Sequence, residues 1–165
     1  AGNKTLNSQD YFRNGVFLYQ SMSGDASDGA SVFTMTGGTL NNTYGHVIHV
    51  TNTSAAITLE GVAINNEDAE GVFLSVCDDA WSGLSKFGNR EANNQVIEGT
   101  MLVGSNSTLK LNLSGTSIWT GTTSGNITSH RSSSTVSSSL GTVNVTLSDS
   151  ATIILTADTT ISTLS

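Results

Sequence analysis

Apolar residues fall at every second place in short runs, and the runs recur. Phe33 and Met35 flank Thr34 in FTMTGGTLNN (33–42), and Ile57 and Leu59 flank Thr58 in ITLEGVAINN (57–66). Alternation of this kind predicts short strands with one face buried. A glycine turn, a short apolar return and an Asn-Asn pair follow in both runs. Gly37 aligns on Gly61, Leu40 on Ile64, Asn41 on Asn65 and Asn42 on Asn66, an offset of about 24 residues. Gly45–Val50 then aligns on Gly71–Val76 with an offset of about 26. A third copy runs from Leu111 to Ile118, and its Gly115 lies about two repeats beyond Gly61. The skipped repeat holds Val96–Val103. A looser fourth copy holds Val143–Leu147, Ile153–Leu155 and Ile161–Leu164.

Strands this short do not make a self-sufficient hairpin domain. They do serve as one coil of a solenoid, where each strand pairs with its equivalent in the next coil. The expectation is an all-β chain folded as a right-handed parallel β-helix (β-solenoid) with coils of about 24–27 residues. A β-sandwich is the alternative, since it too has short, regularly spaced strands. Coil-to-coil similarity favours the solenoid. Inward positions are predicted at Phe33, Met35, Leu40, Ile48, Val50, Ile57, Leu59, Ile64, Leu74, Val76, Leu109, Leu111, Leu113 and Ile118. Thr34, Thr58, Lys110 and Asn112 are predicted to face outward. One domain spans 1–165, with 1–30 as an N-terminal coil or cap. Residues 78–95 and the Ser-rich 129–139 break the rhythm and read as inserted loops, the second equally as an inserted strand pair. Stacking of the repeats would set Asn41 on Asn65 and Asn42 on Asn66 as structural ladders. A buried, laddered Asn41 would then exclude a glycan there.

Composition agrees. Only 36% of the 165 residues are hydrophobic and 12% are charged, there is no proline, and Ser, Thr, Asn and Gly make up about half of the chain. Wealth in Thr, Val and Ile argues for pleated sheet rather than disorder. The net charge of −7, with six scattered basic residues, provides no basic patch, so nucleic acid is not an expected partner. No apolar run is long enough to span a membrane as a helix. The sequence starts at Ala1 with no secretory-signal pattern, as expected of a processed or trimmed product. Cys77 is the single cysteine and so offers neither a disulfide nor a cysteine zinc site.

The succession GVFLYQSMSGDASDGASVFTMTGGTL, HVIHVTNTSAAITLEGVAI and VIEGTMLVGSNSTLKLNLSGTSIWTG resembles the C-terminal half of secreted bacterial β-helix proteins, many from gut Clostridia, described as carbohydrate-binding domain-containing. The resemblance covers about residues 15–165. It implies a right-handed parallel β-helix like that of pectate lyases and an extracellular or cell-surface location. The Asp-rich calcium coils of sugar-binding relatives have no counterpart here, so no sugar-site residue is carried over.

Candidate chemistry is sparse. Trp81 and Trp119 are carbohydrate-binding candidates, because sugar rings stack on exposed aromatic faces. Glu67, Asp68 and Glu70 are the closest carboxylate cluster and the one candidate for calcium, which takes six to eight oxygen ligands. Asp78/Asp79 and Asp25/Asp28 read as turn acids. Sequons at Asn3, Asn41, Asn52, Asn106, Asn112, Asn126 and Asn144 are glycosylation candidates. No Gly-X-Ser-X-Gly elbow occurs. His46 and His49 are predicted on opposite faces of a strand, a poor metal pair. The chain is therefore expected to be no enzyme and to need no cofactor. Its expected role is structural or adhesive, with copies of itself stacked end to end as partner. Polysaccharide recognition is the alternative. Thr-X-Thr pairs at 34/36, 51/53 and 120/122 do not recur at one position, which argues against ice binding.

Overall fold

The computed structural model describes residues 14–19, 30–51, 53–77, 86–128 and 134–165. Its described residues form strands and no helix. A five-stranded sheet is built from β1 (Val16–Tyr19), β4 (Ile48–Thr51), β7 (Val72–Val76), β10 (Thr100–Val103) and β13 (Thr123–Ser124), in that order. A six-stranded sheet runs β2 (Ala30–Thr36), β5 (Ser54–Glu60), β8 (Lys86–Asn93), β11 (Ser107–Ser114), β16 (Thr142–Leu147) and β18 (Thr163–Leu164). A third face is divided between the pair β3 (Thr39–Asn42) and β6 (Ala63–Asn66) and the trio β9 (Val96–Glu98), β12 (Ile118–Gly121) and β17 (Thr152–Leu155). All these pairings are parallel. The exception among the described residues is β14 (Asn126–Thr128) with β15 (Thr135–Ser138), an antiparallel pair. The chain is thus all-β, with several parallel sheets whose neighbours come from successive repeats. That order is compatible with a parallel β-helix.

Alternation along each strand becomes a stack across strands. Met35, Leu59, Ala92, Leu113 and Leu147 are register partners from β2 to β16. Val50 partners Val76, and Val76 partners Val103. These residues, with Ile48, Ile57, Leu74, Leu109 and Leu111, form one core. Burying each Leu, Ile or Val contributes about 1.5–3 kcal/mol before entropy is charged. Phe33, Met35, Leu40 and Ile64, predicted inward, pack against that core but are only partly buried: β2 and β3 are edge strands, and among the described residues β6 has no strand paired on the side away from β3.

Every strand of the six-stranded sheet through β16 leaves by the same turn. Gly37, Gly61, Asn94, Gly115 and Asp149 follow in register, each with positive φ between 47° and 65°. Glycine adopts this left-handed backbone freely, and Asn and Asp tolerate it better than other residues. The first glycine of FTMTGG is thus one rung of a turn repeated five times. Hydrogen bonds between register-matched residues measure the repeat: 24 residues for Asn41–Asn65, 33 for Glu60–Asn93, 21 for Asn93–Ser114 and 34 for Gly115–Asp149. The expected uniform 24–27 does not hold. Residues 78–85, outside the described part, lengthen one repeat, and the β14–β15 pair lengthens another.

One boundary differs from expectation, and one open alternative takes the strand-pair form. Residues 86–93 are not loop but strand β8, paired on both edges with β5 and β11. KFGNREAN lacks apolar alternation, so its strand state comes from its two neighbours. Within 129–139, residues 135–138 form β15 of the inserted antiparallel pair. At the other end, Val16–Tyr19 joins the five-stranded sheet beside β4.

Candidate functional site

Trp119 is fully buried, which removes it as a sugar-stacking platform. Its register partners are Ile97 and Ile153, so it stands in the inward row of the third face. Ile118, predicted inward, is half-buried instead, because the turn at Ser117 sets the strand's parity one residue later. The indole Nε1 donates to the Gly99 carbonyl at 3.1 Å. A side chain at Gly121 would strike both that carbonyl and the indole. Trp81 lies outside the described residues.

The Glu67, Asp68 and Glu70 cluster does not converge. Asp68 spends its carboxylate on backbone: Oδ2 accepts from the Gly45 N–H at 2.7 Å and Oδ1 from the Glu70 N–H at 3.0 Å. Glu67 and Glu70 are exposed. Among the described residues no three His, Cys, Asp or Glu side chains gather as a metal site. Asp68, read from the sequence as part of a calcium candidate, is therefore a turn clasp that ties its own repeat to the Gly45 backbone of the preceding one.

Asn41 lies opposite Asn65 and Asn42 opposite Asn66. Asn65 Nδ2 donates to Asn41 Oδ1 at 2.8 Å, and Asn42 Nδ2 donates to Asn66 Oδ1 at 2.9 Å. Asn42 is the buried one, and it also donates to the Gly45 carbonyl at 2.8 Å. Asn41 is exposed and uses its oxygen, so the ladder does not consume the Nδ2 to which a glycan attaches. The expected exclusion between ladder and glycan fails on that atom. Asn106, Asn112 and Asn126 are exposed and Asn144 is half-buried on β16, while Asn3 and Asn52 lie outside the described residues.

His46 and His49 do not point apart. His46 precedes β4, so strand alternation does not govern it. Both Nδ1 atoms reach Ser75 Oγ, at 2.6 and 2.5 Å, and all three residues are buried. Glu70 approaches His46 Nε2 at 3.9 Å. Ser75 is 0% exposed, which closes this Ser-His-Glu arrangement to any substrate. Thr51 and Thr53 are buried too, so that Thr-X-Thr pair presents nothing to solvent.

The third face carries a feature that strand-by-strand reading missed. Between β6 and β9 the ladder stops, leaving a cleft of about 610 Å³ lined by Val62, Ile64, Asn66, Asn94, Val96 and Glu98 with glycines at its ends. Unequal path lengths open it. After β6 the chain makes a further turn through Glu67–Glu70 before β7, whereas Gly99 alone separates β9 from β10. The longer arc cannot overlie the shorter one. At one end, Gln95 closes the gap with its side chain: it accepts from the Val62 N–H at 2.9 Å and donates to the Val62 and Val96 carbonyls at 2.7 and 2.9 Å. At the other end the Thr100 N–H bonds to the Gly71 carbonyl at 3.0 Å. The signal in the sequence was the shortening of the segment between the turn residue and the next apolar strand, Gly61 to Val72 against Asn94 to Thr100.

No known family model, curated protein or solved structure matches this chain.

Proposed function

We propose that the chain is a right-handed parallel β-helix with a structural or adhesive role at an extracellular or cell-surface location, and that copies stack end to end. The carrying observation is the last repeat. Strands β17 and β18 each pair on one side only among the described residues. Ile154, Leu155 and Leu164 on them are 50%, 51% and 60% exposed. Neither strand carries a charge or a proline, the usual guards of an open edge. Right-handed winding follows from the strong chirality preference of parallel crossovers. A head-to-tail contact between different ends does not close on itself, so it builds an open fibre.

Sedimentation velocity and negative-stain microscopy across a concentration series test the reading. The expected result is mass growth with rods one β-helix wide, abolished by the double change Ile154→Lys, Leu155→Lys. Monomers throughout the series would overturn it. With Trp119 buried, polysaccharide recognition has lost one of its two proposed aromatic contacts.

A further inference from the structure

We propose that the cleft between β6 and β9 is a strand-insertion site that takes an extended peptide segment, with a basic residue placed against Glu98. In a parallel ladder, alternate residues turn both backbone groups toward the same neighbour. On β6, Ala63 N–H bonds to the Gly38 carbonyl at 2.9 Å and the following Glu67 N–H to the Asn42 carbonyl at 2.8 Å. Ala63 and Asn65 therefore serve β3, and the N–H and C=O of Ile64 and Asn66 face the cleft. On the far wall, Ile118 N–H bonds to the Gln95 carbonyl and Gly99 N–H to the Thr120 carbonyl, both at 2.9 Å. Ile97 thus serves β12, and Val96 and Glu98 face the cleft. Two strand edges confront each other, and among the described residues no strand lies between them.

Gln95 shows what fits there. Its buried carboxamide occupies the closed end of the cleft and bonds the Val62 N–H, the Val62 carbonyl and the Val96 carbonyl. Two of those bonds, the oxygen on the Val62 N–H and an N–H on the Val96 carbonyl, are the opposed pair that a peptide group of an inserted strand would make, and the second N–H adds the bond to the Val62 carbonyl. An inserted segment would continue that row along β6, whose four residues span about 13 Å at ~3.3 Å each. Ile64 and the 57%-exposed Val96 offer apolar contact along the walls. Glu98 is the one charged residue of the lining, in a chain of net charge −7, and selects a cation over an anion. Main-chain bonds to both walls would supply affinity, and the Glu98 partner would supply selectivity.

The test uses the whole chain and blocked five-residue peptides of alternating Val and Thr with one central Lys, followed by amide hydrogen exchange and fluorescence anisotropy. Saturating peptide is expected to slow exchange at Ile64, Asn66 and Glu98 at least tenfold. The N–H groups of an inserted strand alternate between the two walls. N-methylation of either alternate set is therefore expected to weaken binding at least tenfold, a control that leaves the protein untouched. Val96→Pro removes a cleft-facing N–H beneath an exposed side chain and is expected to weaken binding similarly, while Glu98→Lys shifts preference to the peptide with Glu in place of Lys. Unchanged exchange at millimolar peptide would overturn the proposal. So would sensitivity to only one methylated set, which would mean an ordinary edge contact, or protection of the same amides by oligosaccharides but not by peptide. None of these readouts depends on end-to-end stacking, so the two proposals fail separately.

Discussion

Trp119 Nε1 donates to the carbonyl of Gly99 at 3.1 Å, so one of the largest core side chains is tied to the backbone of the preceding repeat. The contact exists because Gly121 leaves room for it: a Cβ there would strike both the Gly99 carbonyl and the indole nitrogen. Removing the indole should therefore act on stability. Trp119→Ala is expected to cost ~3–5 kcal/mol through the cavity it leaves. Trp119→Phe keeps most of the volume but strands the carbonyl, at ~1–3 kcal/mol. Urea midpoints at unchanged m-value measure both.

Glycines that share a positive φ should respond unequally. Gly99 has φ of +123°, and a Cβ there would come within 2.5 Å of the Gly71 carbonyl oxygen. Gly61 has φ of +60° and open space around it. Gly61→Ala should cost only the left-handed penalty of ~1–2 kcal/mol. Gly99→Ala adds a clash with backbone that cannot rotate away, and should leave little folded protein by circular dichroism at room temperature.

The legible part of this fold was the part written in alternation. Phe33/Met35, Ile57/Leu59 and Leu111/Leu113 announce β2, β5 and β11 because every second side chain enters the core. Strand β8 was illegible, since Lys86–Asn93 has no apolar row and depends on pairing at both edges. The parity of β12 was misread for a different reason: Ile118 and Trp119 are both apolar, and only the partners Ile97 and Ile153 decide between them. The cleft was out of reach of strand patterns altogether. It comes from the difference in path length between consecutive repeats.

The two asparagine rungs should separate by burial. Asn42 is 3% exposed and donates to both Gly45 and Asn66. Asn42→Ala leaves the carbonyl of half-buried Gly45 without that donor and is expected to cost ~1–3 kcal/mol. Asn41→Ala, on the exposed rung, should stay within ~0.5 kcal/mol of the parent. Chemical denaturation of the pair and of the double change would show near-additivity, because the rungs share no bond.

Ser75 should matter beyond its size. One hydroxyl serves the Nδ1 atoms of two buried imidazoles. Ser75→Ala deletes both bonds at once in a 0%-exposed position and is expected to cost at least ~1–3 kcal/mol. The accompanying sign is a chemical-shift change in both His46 and His49 ring protons by NMR, with Glu70→Gln as a variant that disturbs His46 first.

Gln95 separates two roles that a carboxamide combines. Its oxygen accepts from the Val62 N–H, and its nitrogen donates to the Val62 and Val96 carbonyls. Gln95→Glu is nearly isosteric and keeps the acceptor, but it sets a carboxylate oxygen against two carbonyls at a site with no exposure. A buried charge without a partner is among the costliest single changes, and one that breaks such a site is expected to cost ~3–5 kcal/mol at neutral pH. Protonation would restore a donor. Stability of Gln95→Glu should therefore recover toward the parent as pH falls, because the buried carboxyl titrates higher folded than unfolded, and the loss grows as pH rises above the unfolded carboxylate range. Gln95→Ala should show no such recovery, since it leaves no group to protonate. Urea midpoints at pH 4 and pH 7 for the two variants, each referenced to the parent at the same pH, distinguish a missing bond from a misplaced charge.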